Sequence, residues 1–331
     1  MINIGIDGAG SSEGGELIRL LINHPDVELQ QVCQPALSGR TVSDIHHGLL
    51  GERPLVFCNK LDIDDLDIVF STSSADTDIN DLCSDLSAGE DAKFHIALCS
   101  PDALVDSSEP FYLECDDVES DPDVEKTRWE NALVYGIPEL NRKPMVRGAR
   151  RAVIPTAVES IIVVALAPIA ENGALSSLVS VEVFMPEDLA VELTPRLEAI
   201  EHRLSLLLSE LGKKPTAIKI NLKADSSTKR GIKMTASIES TVTAEDAKRL
   251  FLAEYDDHNM THLCDKTLCY EEAEGTNSCL VRYEQTPDGA IGVEAIADAR
   301  LRGGAGEAVH VMNLFAGLYE KTGLNLKAST F

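Results

Sequence analysis

The strongest constraint on this chain is the order of its first elements. Residues 2–6, Ile2-Asn3-Ile4-Gly5-Ile6, read as a buried strand. Gly8-Ala9-Gly10-Ser11-Ser12-Glu13-Gly14-Gly15 reads as a tight turn, and residues 16–22, with Leu17, Leu20 and Leu21, read as a helix. A strand that passes through glycines into a helix opens a dinucleotide-binding unit. Glycines let the backbone approach a pyrophosphate, and the helix N-terminus offers free N–H groups and a positive dipole end. Further apolar runs at 27–32, 66–71 and 94–98, separated by helical or turn segments, imply a doubly wound parallel sheet.

The motif is imperfect. Gly8 and Gly10 fill its first two positions, but Glu13 stands where the third glycine belongs. Asp7 and Glu13 are expected to turn two carboxylates toward the phosphate position. The second strand ends in Gln30-Gln31-Val32-Cys33-Gln34, with neither an acid for a ribose hydroxyl nor a basic pocket; Arg40 is the nearest cation. Two readings stay open: a cofactor site, or glycines that serve only the turn and helix–sheet packing.

Length and charge narrow the function. The 331 residues allow two domains, and 44% apolar with 25% charged residues is a globular balance. Against 29 Lys and Arg stand 55 Asp and Glu, a formal charge of −26, which repels nucleic acid and anionic membrane. Aromatics are 5% with one tryptophan, Trp129, so base-stacking platforms are not expected. The longest apolar run, 158–170, is broken by Glu159, Ser160 and Pro168 and is too short to span a bilayer. Eight scattered cysteines and no basic leader fit a soluble cytoplasmic protein with reduced thiols. The segment 106–125 carries nine Asp and Glu residues and reads as a solvated insertion; its 114–125 part is also a docking surface for a basic partner if one exists.

Near residue 150 the pattern changes. Residues 155–170 read as a long apolar helix with Pro155 in its first turn, and 189–211 as one amphipathic helix. Strands are expected at 178–184, 216–222, 231–242, 279–284 and 290–297, with a helix at 244–254. This grouping implies a mostly antiparallel sheet with helices on one face, whose apolar strands offer a sheet face to a twofold interface. A last helix at 305–318 follows Gly303-Gly304-Ala305-Gly306. The expected domains are 1–150 with 301–331, Rossmann-like, and 151–300, α+β. His258, His262, Cys264 and Cys269 have the residue types of a zinc site, but the reading as ordinary strand and loop residues is preferred. His46 and His47 read as structural.

Residues 14–28, Gly14-Gly15-Glu16-Leu17-Ile18-Arg19-Leu20-Leu21 onward to His24-Pro25-Asp26-Val27-Glu28, resemble a stretch of N-acetyl-gamma-glutamyl-phosphate reductase. Three further blocks match in order: Gly39 with Val42-Ser43-Asp44-Ile45-His46, Tyr135-Gly136-Ile137-Pro138-Glu139-Leu140-Asn141-Arg142, and residues 303–314 with Thr322-Gly323-Leu324. The resemblance implies a Rossmann domain, an inserted α+β domain for catalysis and dimerisation, and a final helix returning to the cofactor. It implies reduction of an acyl phosphate by NADPH through a cysteine thiolate, with a histidine as acid and base.

The residues that should carry this chemistry are missing. The family cysteine opens the long apolar helix; counting back from Ala165-Leu166-Ala167-Pro168 puts Ala157 there, and matching Pro155-Thr156-Ala157 puts Val153 there. The family histidine position is Ala224, before Arg230-Gly231. Its Gly, Ser and His loop is absent, since Val183-Phe184-Met185-Pro186-Glu187 runs almost directly into Leu189, and its Asp-Leu-Ser reads Ala97-Leu98-Cys99. Ser160, Glu159 and Cys99 are poor substitutes, and Tyr135 has a packing role. The cofactor-binding positions implied are Gly8, Gly10, Ser11, Ser12, Gly304 and Asn313, with Ser11, Ala97 and Glu307 altered, so NADP binding is expected to be weak or lost. The expectation is therefore a non-catalytic member, a homo-oligomer (dimer or tetramer) acting on a protein partner or as a sensor. The alternative is an active NADP-dependent reductase or semialdehyde dehydrogenase with an unrecognised nucleophile.

Overall fold

The computed structural model describes residues 1–72, 94–98 and 133–328. The acidic segment 106–125, Cys99 and Trp129 lie outside the described residues. Contacts divide the chain into two units, one of residues 1–155 with 303–325 and one of 156–302 with 326–331. The division falls at Pro155 rather than 150, because residues 151–154 are a strand of the first sheet. Residues 326–328 group with the second unit rather than the first.

In the first unit, β1 (Ile2–Asp7), β2 (Val27–Cys33), β3 (Phe57–Cys58), β4 (Ile68–Ser71), β5 (Phe94–Leu98), β6 (Leu133–Tyr135) and β7 (Arg151–Ile154) form one sheet. Its order is β3-β2-β1-β4-β5-β7-β6, and every neighbouring pair is parallel. β1 from Ile4 onward and the whole of β4 are buried on both faces, as a parallel sheet covered by helices requires. The order reverses between β1 and β4, so the turn after β1 sits at the switch point where doubly wound sheets open a crevice. α1 (Ser12–Leu21) buries Leu17, Ile18, Leu20 and Leu21. α2 (Pro138–Arg147) follows the Tyr-Gly-Ile turn, with a non-helical Asn141 inside it.

The second unit is built round α3 (Ala157–Glu171), buried from Ala157 to Ala170. A helix apolar on all sides belongs in the centre of a unit. The sheet of β8 (Leu178–Met185), β9 (Ala217–Ala224), β10 (Gly231–Ile238), β11 (Thr261–Leu263), β12 (Cys279–Gln285) and β13 (Ile291–Asp298) has the order β11-β12-β13-β10-β8-β9. The three central pairings are antiparallel, and the two edge pairings, β11 with β12 and β8 with β9, are parallel. α3 packs on β10 and β13, and Tyr283 of β12 donates its hydroxyl to the Ala165 carbonyl at 2.7 Å.

The expected helix at 189–211 is two. α4 (Glu187–Leu193) and α5 (Leu197–Leu211) are separated by a tight turn, Thr194–Arg196, because Pro195 supplies no N–H for a continuous ladder. Pro155 likewise precedes the helix instead of opening it, since Thr156 is the N-cap. α5 covers the open edge of β9: the amides of Thr216, Ile218 and Ile220 donate to Ser209, Ser205 and Glu201, acceptors spaced one helical turn apart. α6 (Ala244–Tyr255) packs on β12 and β11.

The alternation along the strands turns Val179, Val181, Val183, Met234, Val281 and Val293 inward. The apolar side chains behind the expected twofold interface therefore face the helices. On the opposite face Lys233 meets Glu294 at 2.9 Å, Arg282 meets Glu294 at 2.9 Å and Lys223 pairs with Glu182. The final helix, α7 (Ala305–Phe315), ends three residues short of the expected 318 and packs in the first unit on α1, α2 and β5.

Candidate functional site

The fold offers two candidate sites, the turn after β1 and the start of α3.

In the turn, Gly8 has φ +74°, a conformation that favours glycine. Ser11 is the N-cap of α1: its hydroxyl accepts the Gly14 amide at 3.0 Å and donates to the Gly8 carbonyl at 2.9 Å. Thr72, just beyond β4, donates its hydroxyl to the same carbonyl at 2.9 Å. The Gly10 amide, which a pyrophosphate would want, donates to Gln34 Oε1 at 3.2 Å. The turn thus answers much of its own polarity.

Gly14 supplies the close approach for which Glu13 is unsuited. A Cβ on Gly14 would lie 2.6 Å from the Ala9 backbone. His46, read as structural, sets its ring where a Cβ on Gly15 would fall and bonds the Ala9 carbonyl through Nε2 at 2.8 Å. Neither Gln34 nor Thr72 was singled out from the sequence, because their roles depend on strands that are distant in the chain. Asp7 is a correction: it is only 2% exposed and sits beside the Cys33 thiol instead of opening to a phosphate. Ser12 is exposed in the first turn of α1.

Deeper in the same sheet, Ser71 Oγ and His95 Nε2 are 2.9 Å apart, both buried. Burial, and then the charge of Arg151, lower the His95 pKa to about 4, so the ring is neutral. At α7 the Gly303 amide donates to Glu307 Oε2 at 2.6 Å, a carboxylate at the helix N-terminus. Gly304 is the N-cap. Asn313 donates to the carbonyls of Glu320 and Thr322 at 3.1 and 2.8 Å, so both amide hydrogens hold the 319–324 turn. His310 bonds Glu320 at 3.0 Å beneath it.

At the start of α3, Thr156 and Glu159 form a reciprocal cap. The Thr156 amide and hydroxyl donate to Glu159 Oε2 at 3.0 and 2.7 Å, and the Glu159 amide donates back at 3.3 Å. Glu159 Oε1 accepts from Arg203 Nε of α5 at 2.7 Å, and both side chains are buried. Ser160 accepts from the fully buried Arg302 at 2.8 Å. A carboxylate of the chain itself therefore occupies the anion-accepting end of this helix.

Sequence relatives match over the whole length. The N-acetyl-gamma-glutamyl-phosphate reductase of Parabacteroides distasonis is 30% identical over 349 residues, covering 100% of both chains. The chain belongs to the N-acetyl-gamma-glutamyl-phosphate reductase family. The reductase of that name from Methanosarcina barkeri is 27% identical over 355 residues and 99% of both chains. No family model matches. Among solved structures, aspartate semialdehyde dehydrogenase II of Vibrio cholerae, complexed with ASA, aligns with TM-score 0.63 at 15% identity over 96% of this chain and 99% of that one. Aspartate semialdehyde dehydrogenase with NADP from Candida albicans aligns with TM-score 0.63 at 13% identity over 96% and 98%. At these identities the likeness is one of fold.

Against the expectations drawn from the reductase family, Val153 lies inside β7, while Ala157 is the first residue of α3. Ala224 is the last residue of β9 and is exposed. The loop that follows is held by Asp225, which accepts from Ser227 and from the Tyr270 hydroxyl at 2.9 Å. One residue, Pro186, separates β8 from α4. Ala97 lies buried in β5. Tyr135 is buried, its carbonyl accepting from Asn141 at 2.9 Å. Of the zinc-type residues, His258 sets its ring edge-on to Tyr255, His262 is exposed on β11, Cys264 packs near Leu268 and Ala273, and Cys269 is exposed. Among the described residues no group of three such side chains is placed to hold a metal. No helix is long and apolar enough to cross a membrane among the described residues.

Proposed function

We propose that this chain is a non-catalytic member of the N-acetyl-gamma-glutamyl-phosphate reductase family, working in the cytoplasm as a homo-oligomer through protein contacts. The first unit keeps the form of a dinucleotide domain, and the second that of the catalytic and dimerisation domain. One observation carries the reading: Ala157 opens α3, and Glu159 with Arg203 fills the helix end where a thiolate would need to be. Without a thiolate no thioacyl intermediate forms, and loss of a covalent nucleophile removes several orders of magnitude in rate. The Gly10 amide, already bonded to Gln34, supports weak NADP binding.

Purified protein is expected to show no phosphate-dependent reduction of NADP+ with N-acetylglutamate semialdehyde, and Ala157→Cys alone does not restore it. Turnover by the unmodified chain, lost on treatment with a thiol reagent, would overturn the reading. Calorimetric titration with NADPH separates scaffold from sensor: tight saturable binding means the glycine turn still works. A second reading, a working reductase with another nucleophile, draws support from relatives named as reductases along their full length.

A further inference from the structure

We propose that Cys33 and Cys58 form an oxidation-sensitive dithiol at the carboxyl edge of the first sheet, where a low-molecular-weight disulfide writes a reversible protein disulfide beneath the glycine turn. The pair belongs to the first unit, and nothing in the reading of Ala157 bears on it. Strand register puts Asp7, Cys33 and Cys58 side by side: Asp7 pairs with Cys33 across β1 and β2, and Cys33 with Cys58 across β2 and β3. Register partners project to the same face of a sheet. Adjacent strands run about 4.8 Å apart, inside the roughly 4.4–6.8 Å that a disulfide spans between Cα atoms. β3 is only two residues long, so the backbone at Cys58 is held by few ladder bonds and can adjust.

The two thiols are unequal. Cys33 is 3% exposed, packed with Leu61, Leu66 and Val69, whereas Cys58 is half-buried at the border of the same cluster. Cys58 is therefore the thiol that meets the oxidant. Its thiolate attacks one sulfur of the external disulfide RSSR and expels RS⁻. Cys33 then attacks Cys58 Sγ, the second RS⁻ leaves, and the protons of the two protein thiols end on the two expelled thiolates. The protein loses two electrons, and RSSR becomes two RSH. Burial raises both thiols, Cys33 to about 12 with Asp7 adding to the shift, so the reaction is slow and needs a local opening.

The bond would act on the turn directly. The Cys33 carbonyl accepts the Ala9 amide at 2.9 Å, and the Cys58 carbonyl accepts the Gln34 amide at 3.2 Å. Gln34 in turn holds the Gly10 amide. A covalent bond between β2 and β3 therefore bears on the acceptors that fix residues 8–10.

The test uses the full chain incubated with oxidised glutathione, alkylated under denaturing, non-reducing conditions and mapped by mass spectrometry. The expected product is a Cys33–Cys58 linked peptide pair, two hydrogen masses lighter, that dithiothreitol reverses. Hydrogen exchange at residues 8–14 should change by about threefold or more on oxidation. That change should vanish in Cys58→Ser, with Cys58→Ala as the second variant. Exposed Cys269 reports that oxidant was sufficient. Cys33 still fully alkylated when Cys269 is oxidised, or Cys58 left as a stable mixed disulfide, would overturn the proposal.

Discussion

At His95 two effects act on one proton in the same direction. Burial and the Arg151 charge hold its pKa at about 4, below the ordinary 6.5. Between those values the unfolded chain binds more protons than the folded one, so stability rises with pH there. The contribution is complete above the unfolded value and is lost as pH falls from 6.5 toward 4, by up to about 3 kcal/mol. In urea, the wild type should lose more stability between about pH 7.5 and about pH 4.5 than His95→Gln does. Equal losses would show that His95 is not the group responsible. Glu159 teaches a related lesson. In sequence it interrupts an apolar run; in the fold it is a cap whose charge Arg203 balances.

In the first unit a close backbone approach joins α1 to the glycine turn. Gly14 lets α1 lie against the turn, and any Cβ there would meet the Ala9 backbone, which cannot rotate away. Gly14→Ala is expected to cost about 1–3 kcal/mol, as overpacking does. Gly48→Ala, with nothing within 4 Å of the new methyl, should stay within about 0.5 kcal/mol of wild type. Equal urea midpoints for the two variants would remove Gly14 from its role. Caps follow the same local logic: Thr156 with Glu159 and Thr243 with Asp246 each close over a three-residue spacing. Pro195 was equally visible, yet the amphipathic spacing across 189–211 hid the break it makes.

For the whole molecule, charge dominates. A formal −26 repels itself in the folded state more than in the expanded one. Salt shortens the Debye length from about 30 Å at 0.01 M to about 3 Å at 1 M, so added sodium chloride should raise the thermal midpoint. A midpoint that falls with salt would mean that local pairs, such as Lys233 and Arg282 on Glu294, outweigh the net repulsion.

What the sequence determined by itself was local or periodic. The strand, glycine turn and helix at the N-terminus need only neighbouring residues, and so do the alternating strands of the second sheet. The absence of a thiol in residues 151–160 is likewise a matter of composition, visible without any fold. What each polar group faces was settled by packing. It buried Asp7 beside Cys33, bonded Gly10 to Gln34, buried the valines of β8, and set Arg203 of α5 on Glu159 of α3. The reason is physical: a side chain's partner across a sheet or between helices lies tens of residues away in sequence, and burial, which makes that partner matter, exists only once the chain has packed.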